Sequence, residues 1–99
     1  MEIIQKKLDG NKVYIKPVGR LDLDTSAEFG IVVDEAIDDV RELLLDLAEV
    51  DYISSIGLRV ILEIQKRMSK QGFMTISNVA PEVMEVFNMT GLSRILTIV

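Results

Sequence analysis

Hydrophobic and polar positions change their period several times along this chain. Ile3 to Leu8 and Val13 to Val18 are short β-prone runs, and the Asp9-Gly10 pair of the Asp9-Gly10-Asn11 link suits a tight turn with positive φ, so the two predict a hairpin. Pro17 has no N–H for a ladder, which puts it at an edge, a strand end or a bulge. A helical period follows: Phe29, Val32, Val33, Ala36, Ile37 and Val40 recur at helix spacing, and Thr25 stands three residues before Glu28, the spacing of a reciprocal capping box. Leu43-Leu44-Leu45-Asp46-Leu47 is too short for a typical helix and nearly all apolar, as expected of a central strand covered on both faces or close to it. Leu58, Ile61, Leu62, Ile64 and Met68 mark a second helix that Gln71-Gly72 ends. Phe73 to Val79 predicts another strand. Pro81 opens a short third helix with Val83, Met84 and Phe87 inward, stopped between Asn88 and Gly91, and Ile95 to Val99 is a short strand or apolar tail. The order ββαβαβα plus a tail is that of an α/β fold: a mixed sheet that begins with an antiparallel hairpin, with right-handed crossovers and helices packed on it.

Composition narrows what such a fold can do. At 99 residues and 48% hydrophobic content the chain is expected to form one domain, residues 1–99, with a single core. It has no Cys and no His, so thiol chemistry, the common zinc sites and His-dependent nucleophilic catalysis lose their essential atoms; no cofactor and no bound metal are expected. The formal charge of −5 disfavours a nucleic-acid partner. No apolar run approaches the roughly 20 residues that span a bilayer, the first residues do not pattern as a signal peptide, and the absent cysteines fit a reducing cytoplasm. The expectation is a cytoplasmic, metal-independent monomer. Glu28, Asp34, Glu35, Asp38 and Asp39 read as the solvated face of the first helix, Arg59, Lys66, Arg67 and Lys70 as that of the second, and Met68, Met74, Met84 and Met89 as core or rim filler.

The junction Asp51-Tyr52-Ile53-Ser54-Ser55-Ile56-Gly57-Leu58 passes from the carboxyl end of a strand region into a helix, where ligands and partners often collect in α/β folds. Ser54 or Ser55 suits an N-cap; alternatively one of the hydroxyls is presented for modification, because a phosphate is stabilised by the positive end of a helix dipole. Asp22 suits a turn, with Asp24-Thr25 supplying the cap of the first helix. Gly57 and Gly91 fit backbone geometry better than ligand contact.

Three segments in order resemble the STAS domain, the family of sulphate transporters and bacterial anti-sigma factor antagonists. Gly19-Arg20-Leu21-Asp22 resembles the family's glycine-x-leucine-aspartate turn, Ser54-Ser55-Ile56-Gly57-Leu58 its serine-bearing junction, and Met89-Thr90-Gly91-Leu92 the end of its third helix. Ser54 stands where the antagonists usually carry aspartate, and Ile56 where a small residue is usual. The resemblance implies a non-enzymatic antagonist that binds a serine-kinase-type anti-sigma factor and so releases a sigma factor. It also implies phosphorylation at Ser55, with Ser54 as the alternative acceptor, and resetting by a metal-dependent serine phosphatase. The implied partner-binding residues are Asp22, Ser54, Ser55, Ile56, Gly57, Leu58 and Arg59. The family also contains constitutive, unphosphorylated adaptor subunits of transporters or signalling assemblies, and that alternative stays open.

Overall fold

The computed structural model describes all of residues 1–99. Its elements are β1 (Glu2–Leu8), β2 (Lys12–Val18), α1 (Ser26–Ala36), β3 (Glu42–Asp46), α2 (Ser55–Gln71), β4 (Phe73–Ser77) and α3 (Pro81–Thr90), followed by a 3-10 turn at Leu92–Arg94. The ββαβαβα order and the antiparallel hairpin expected from the sequence are present. In the hairpin link, Gly10 (φ 77°) and Asn11 (φ 60°) take the positive φ angles, so the left-handed pair lies one residue later than Asp9-Gly10. Ile95 to Val99 does not form a full strand. It makes one parallel bridge, Ile98 beside Ile76, with the Ile76 N–H donating to the Thr97 carbonyl at 2.8 Å.

The sheet runs β1-β2-β3-β4, with β1 antiparallel to β2 and the other pairs parallel. Both parallel crossovers step the same way along the sheet, so connections of the usual right hand carry their helices to one face. Burial alternates accordingly: Val13, Ile15, Leu43, Leu45, Met74 and Ile76 are buried, while Tyr14, Leu44 and Thr75 on the opposite face are only half-buried. The nearly unbroken apolar run of β3 therefore does not mean cover on both faces. Pro17 follows the last β2–β3 pair, Ile15 with Leu45, so its missing N–H takes no bond from that ladder.

Twenty buried hydrophobic residues form one continuous core beneath the helices, centred on Phe29, Phe87, Ile15, Leu45 and Ile61. Helix α1 stops at Ala36, short of Val40: Ile37 leaves helical geometry (φ −97°, ψ 10°) and Asp39 then turns left-handed (φ 59°). The Gln71 side-chain amide donates to the carbonyls of Ile37 (2.7 Å) and Val40 (2.6 Å), tying the turn after α1 to the end of α2. Met68 and Met74 are core residues; Met89 is 79% exposed and fills nothing.

Candidate interaction site at the start of helix α2

Two loops meet at the carboxyl end of the sheet. The segment after β2 and the segment after β3 run parallel, joined by one bridge, Leu21 to Ile53, and three backbone hydrogen bonds. The Gly19 N–H donates to the Glu49 carbonyl (2.9 Å), the Leu21 N–H to the Tyr52 carbonyl (3.0 Å), and the Ser54 N–H to the Leu21 carbonyl (2.8 Å). Leu21 and Ile53 are buried, and alternation turns their neighbours outward: Arg20 and Asp22 from one strand-like segment, Tyr52 and Ser54 from the other. The Arg20 guanidinium lies 4.0 Å from the centre of the Tyr52 ring, a cation–π pair across the seam.

Ser54 is the N-cap of α2. Its backbone is extended (φ −89°, ψ 173°) and its hydroxyl accepts the Gly57 N–H at 3.2 Å, a cap of the kind worth about 1 kcal/mol. Ser55 is therefore the first helical residue, exposed, and its hydroxyl has no hydrogen-bond partner within the chain. Ile56 and Leu58 are half-buried, whereas Arg59, one turn beyond Ser55, is exposed. Gly57 is buried where the helix start rides over the Leu21 segment. A Cβ there would stand 2.8 Å from Ile53 Cγ1 and 3.0 Å from the Leu21 carbonyl oxygen, so only glycine allows the two loops this approach.

The start of α1 differs from its sequence reading. Thr25 is not a side-chain cap, and the expected exchange with Glu28 is absent: Glu28 pairs with the N-terminal amine at 2.6 Å. Asp22 does the capping one turn earlier, its Oδ1 accepting the N–H groups of Asp24 (3.0 Å) and Thr25 (3.1 Å). The Thr25 hydroxyl donates to the Arg20 carbonyl (2.5 Å) and accepts the Asp22 N–H (3.0 Å). The Thr25 N–H chiefly holds the Asp22 carboxyl below its ordinary 3.8; partial burial opposes this, and the Thr25 hydroxyl, the Asp24 N–H and the Arg20 charge add to it.

Sequence reasoning missed a polar anchor behind the site. Asp46, 7% exposed at the end of β3, accepts from the Tyr14 hydroxyl (2.5 Å), the Ala48 N–H (2.9 Å) and the Asn78 side-chain amide (3.1 Å). Burial pushes the Asp46 carboxyl up, but these donors and the Lys16 charge outweigh it and leave the group below 3.8. The hydrogen bond to Asp46, then burial and the Asp46 charge, raise the Tyr14 hydroxyl above 10.0. The one signal in the sequence was a lone carboxylate inside an apolar strand.

The sequence signature described as the STAS domain matches residues 3–99. The chain belongs to that family. BtrV of Bordetella bronchiseptica, named as a candidate anti-sigma factor antagonist, is 43% identical over 56 residues, which are 56% of this chain and 48% of BtrV. The match thus spans about half of BtrV's own length. An anti-sigma factor antagonist from Mycobacterium paratuberculosis superposes with a TM-score of 0.88 at 17% identity, covering 98% of this chain and 83% of that one. SpoIIAA, an anti-sigma factor antagonist of Bacillus, superposes in its unphosphorylated form with a TM-score of 0.82 at 19% identity, covering 99% of this chain and 88% of that one. These superpositions establish the STAS-type fold. No helix here is long and apolar enough to cross a membrane, and no group of three or more carboxylates is placed to hold a metal ion.

Proposed function

We propose that this STAS domain is an anti-sigma factor antagonist whose unmodified form binds a serine-kinase-type anti-sigma factor, and that phosphorylation of Ser55 ends the complex. The observation that carries the reading is the division of labour between the two serines: Ser54 is engaged as the cap, and Ser55 presents an unpartnered hydroxyl at the exposed helix start. The contact surface we assign to the partner comprises Asp22, Ser54, Ser55, Ile56, Leu58 and Arg59, with the buried Gly57 serving it by letting the helix start approach the Leu21 segment. The names of BtrV and of the structural relatives support the antagonist role, and SpoIIAA has been solved in both unphosphorylated and phosphorylated forms. A phosphate adds roughly −1.5 to −2 charges to a chain already at −5, which is costly to bury against a partner and tolerable at a free helix N-terminus. A metal-dependent serine phosphatase resets the switch, the metal belonging to that enzyme.

A constitutive adaptor is the second reading, favoured by Ser54 in place of the usual aspartate and by the bulk of Ile56 beside the acceptor. Incubation with ATP and an anti-sigma kinase of the same genome, read by mass spectrometry, separates the two. The switch reading expects phosphate on Ser55, none on Ser55→Ala, and binding at least about tenfold weaker for Ser55→Asp. Modification at Ser54 alone moves the site by one residue. No modification of either serine, with equal affinity for parent and Ser55→Asp, leaves the adaptor.

A further inference from the structure

We propose that Arg59 is the second half of the switch at Ser55: when Ser55 carries a phosphate, the Arg59 guanidinium pairs with it, and a cation that the unmodified surface offers a partner is withdrawn. The inference rests on the phosphorylation reading above and adds a residue and a mechanism to it.

Ser55 is the first residue of α2 and Arg59 the fifth, a spacing that sets side chains side by side on a helix with Cβ atoms roughly 5–6 Å apart. Both are exposed. The Arg59 guanidinium has no hydrogen bond or ion pair in the chain, and Glu63, one turn further along α2, does not reach it. The other nearby arginines are engaged: Arg67 is bonded to the Asp34 carbonyl (2.7 Å) and carboxylate, and Arg20 is stacked on Tyr52. Arg59 is also badly placed for the helix dipole, a cation close to the N-terminus, where an anion is favoured. A phosphate on Ser55 reverses that. It sets the acidic group N-terminal to the basic one, the better order for a pair four residues apart, and its oxygens match the planar guanidinium fork. Local charge passes from +1 to about −1, so modification removes one partner contact and adds an unfavourable charge in the same step.

The test installs phosphoserine at position 55 during translation, so no kinase is needed. Phosphorus NMR titration should show a lower second pKa for the phosphate in the parent than in Arg59→Gln, with Arg59→Lys between them. The neighbouring charges are Arg20 and Asp22 on one loop, Asp51 on the other and Glu63 on α2; they are common to all three proteins, so the difference reads Arg59. Coincident titration curves for parent and Arg59→Gln would overturn the pairing. Against an anti-sigma kinase that binds the parent, phosphorylation should weaken the parent about tenfold or more and Arg59→Gln by a smaller factor, and unmodified Arg59→Gln should already bind more weakly than the parent. Equal factors would overturn the withdrawal of Arg59 from the partner. If phosphate weakens no variant while the titration difference persists, the pair stands and the switch reading fails.

Discussion

The first turns of α1 and α2, side by side at the carboxyl end of the sheet, use the same residue types and leave different things free. At the start of α1 three short polar side chains turn inward on their own segment: Asp22 holds the N–H groups of Asp24 and Thr25, Thr25 holds Arg20, and the buried Ser26 hydroxyl donates to the Asp22 carbonyl at 2.6 Å. At the start of α2 one side-chain hydrogen bond, from Gly57 to Ser54, does the local work, and Ser55 is left with an idle hydroxyl. A saturated turn is a scaffold, because changing any member unmakes its neighbours. An unsaturated one can accept a modification without unfolding. The α2 start can stay so lightly braced because it leans on the α1 start, through the Leu21–Ile53 bridge and the bond from the Ser54 N–H to the Leu21 carbonyl.

That dependence predicts the largest effect. Gly57→Val should push the α2 start off the Leu21 segment, costing about 2–3 kcal/mol by the overpacking seen when side chains are forced into filled space. Urea unfolding measures it. A loss below about 0.5 kcal/mol would mean that the two helix starts are not tightly coupled.

The rear anchor should come next. Tyr14→Phe removes one of three donors to a buried carboxylate and should cost about 1–2 kcal/mol near neutral pH. The sign of the pH effect follows from the depressed Asp46 carboxyl: its stabilisation is present above the unfolded value near 3.8 and is lost as pH falls through the lower folded value. In Tyr14→Phe the folded value rises toward 3.8, so the acid decline should be shallower and should begin from a lower plateau. Thermal melts from neutral to strongly acidic pH decide it. Parallel curves for parent and variant would show that the hydroxyl does not hold the carboxylate in its charged form.

These contacts mark where legibility in the sequence ended. The order of elements was readable because hydrophobic period is a local property, and the α2 junction stood out because Ser54-Ser55 falls where a strand region gives way to a helix. Which serine caps was not readable, since either fits the spacing; the bond from the Ser54 N–H to the Leu21 carbonyl, far away in sequence, settles the backbone there. The Thr25–Glu28 box failed for a related reason. Asp22 starts the turn three residues earlier, and the Thr25 hydroxyl is drawn back to Arg20. Tyr14 and Asp46 lie 32 positions apart on adjacent strands, and no periodicity argument pairs them.

Ser54→Ala should cost about 1 kcal/mol, the ordinary loss of an N-cap, because the Gly57 N–H then has no side-chain acceptor. Hydrogen exchange should speed up at the first turn of α2 and stay unchanged in the first turn of α1, whose polar contacts are its own. Faster exchange in both would mean that the two helix starts open together and that the cap braces the seam as well as the helix.

The smallest effect is expected one residue later. Ser55→Ala should change stability by less than about 0.5 kcal/mol, because an exposed hydroxyl without a partner leaves nothing unsatisfied when removed. Ser55→Asp should be neutral or slightly stabilising, since a carboxylate in the first turn complements the helix dipole by about 0.3–1 kcal/mol, and that gain should shrink in high salt. Paired unfolding curves at low and high ionic strength test both. If Ser55→Ala costs as much as Ser54→Ala, the Ser55 hydroxyl shares the cap, and the contrast between a saturated and an idle helix start fails at the residue on which it most depends.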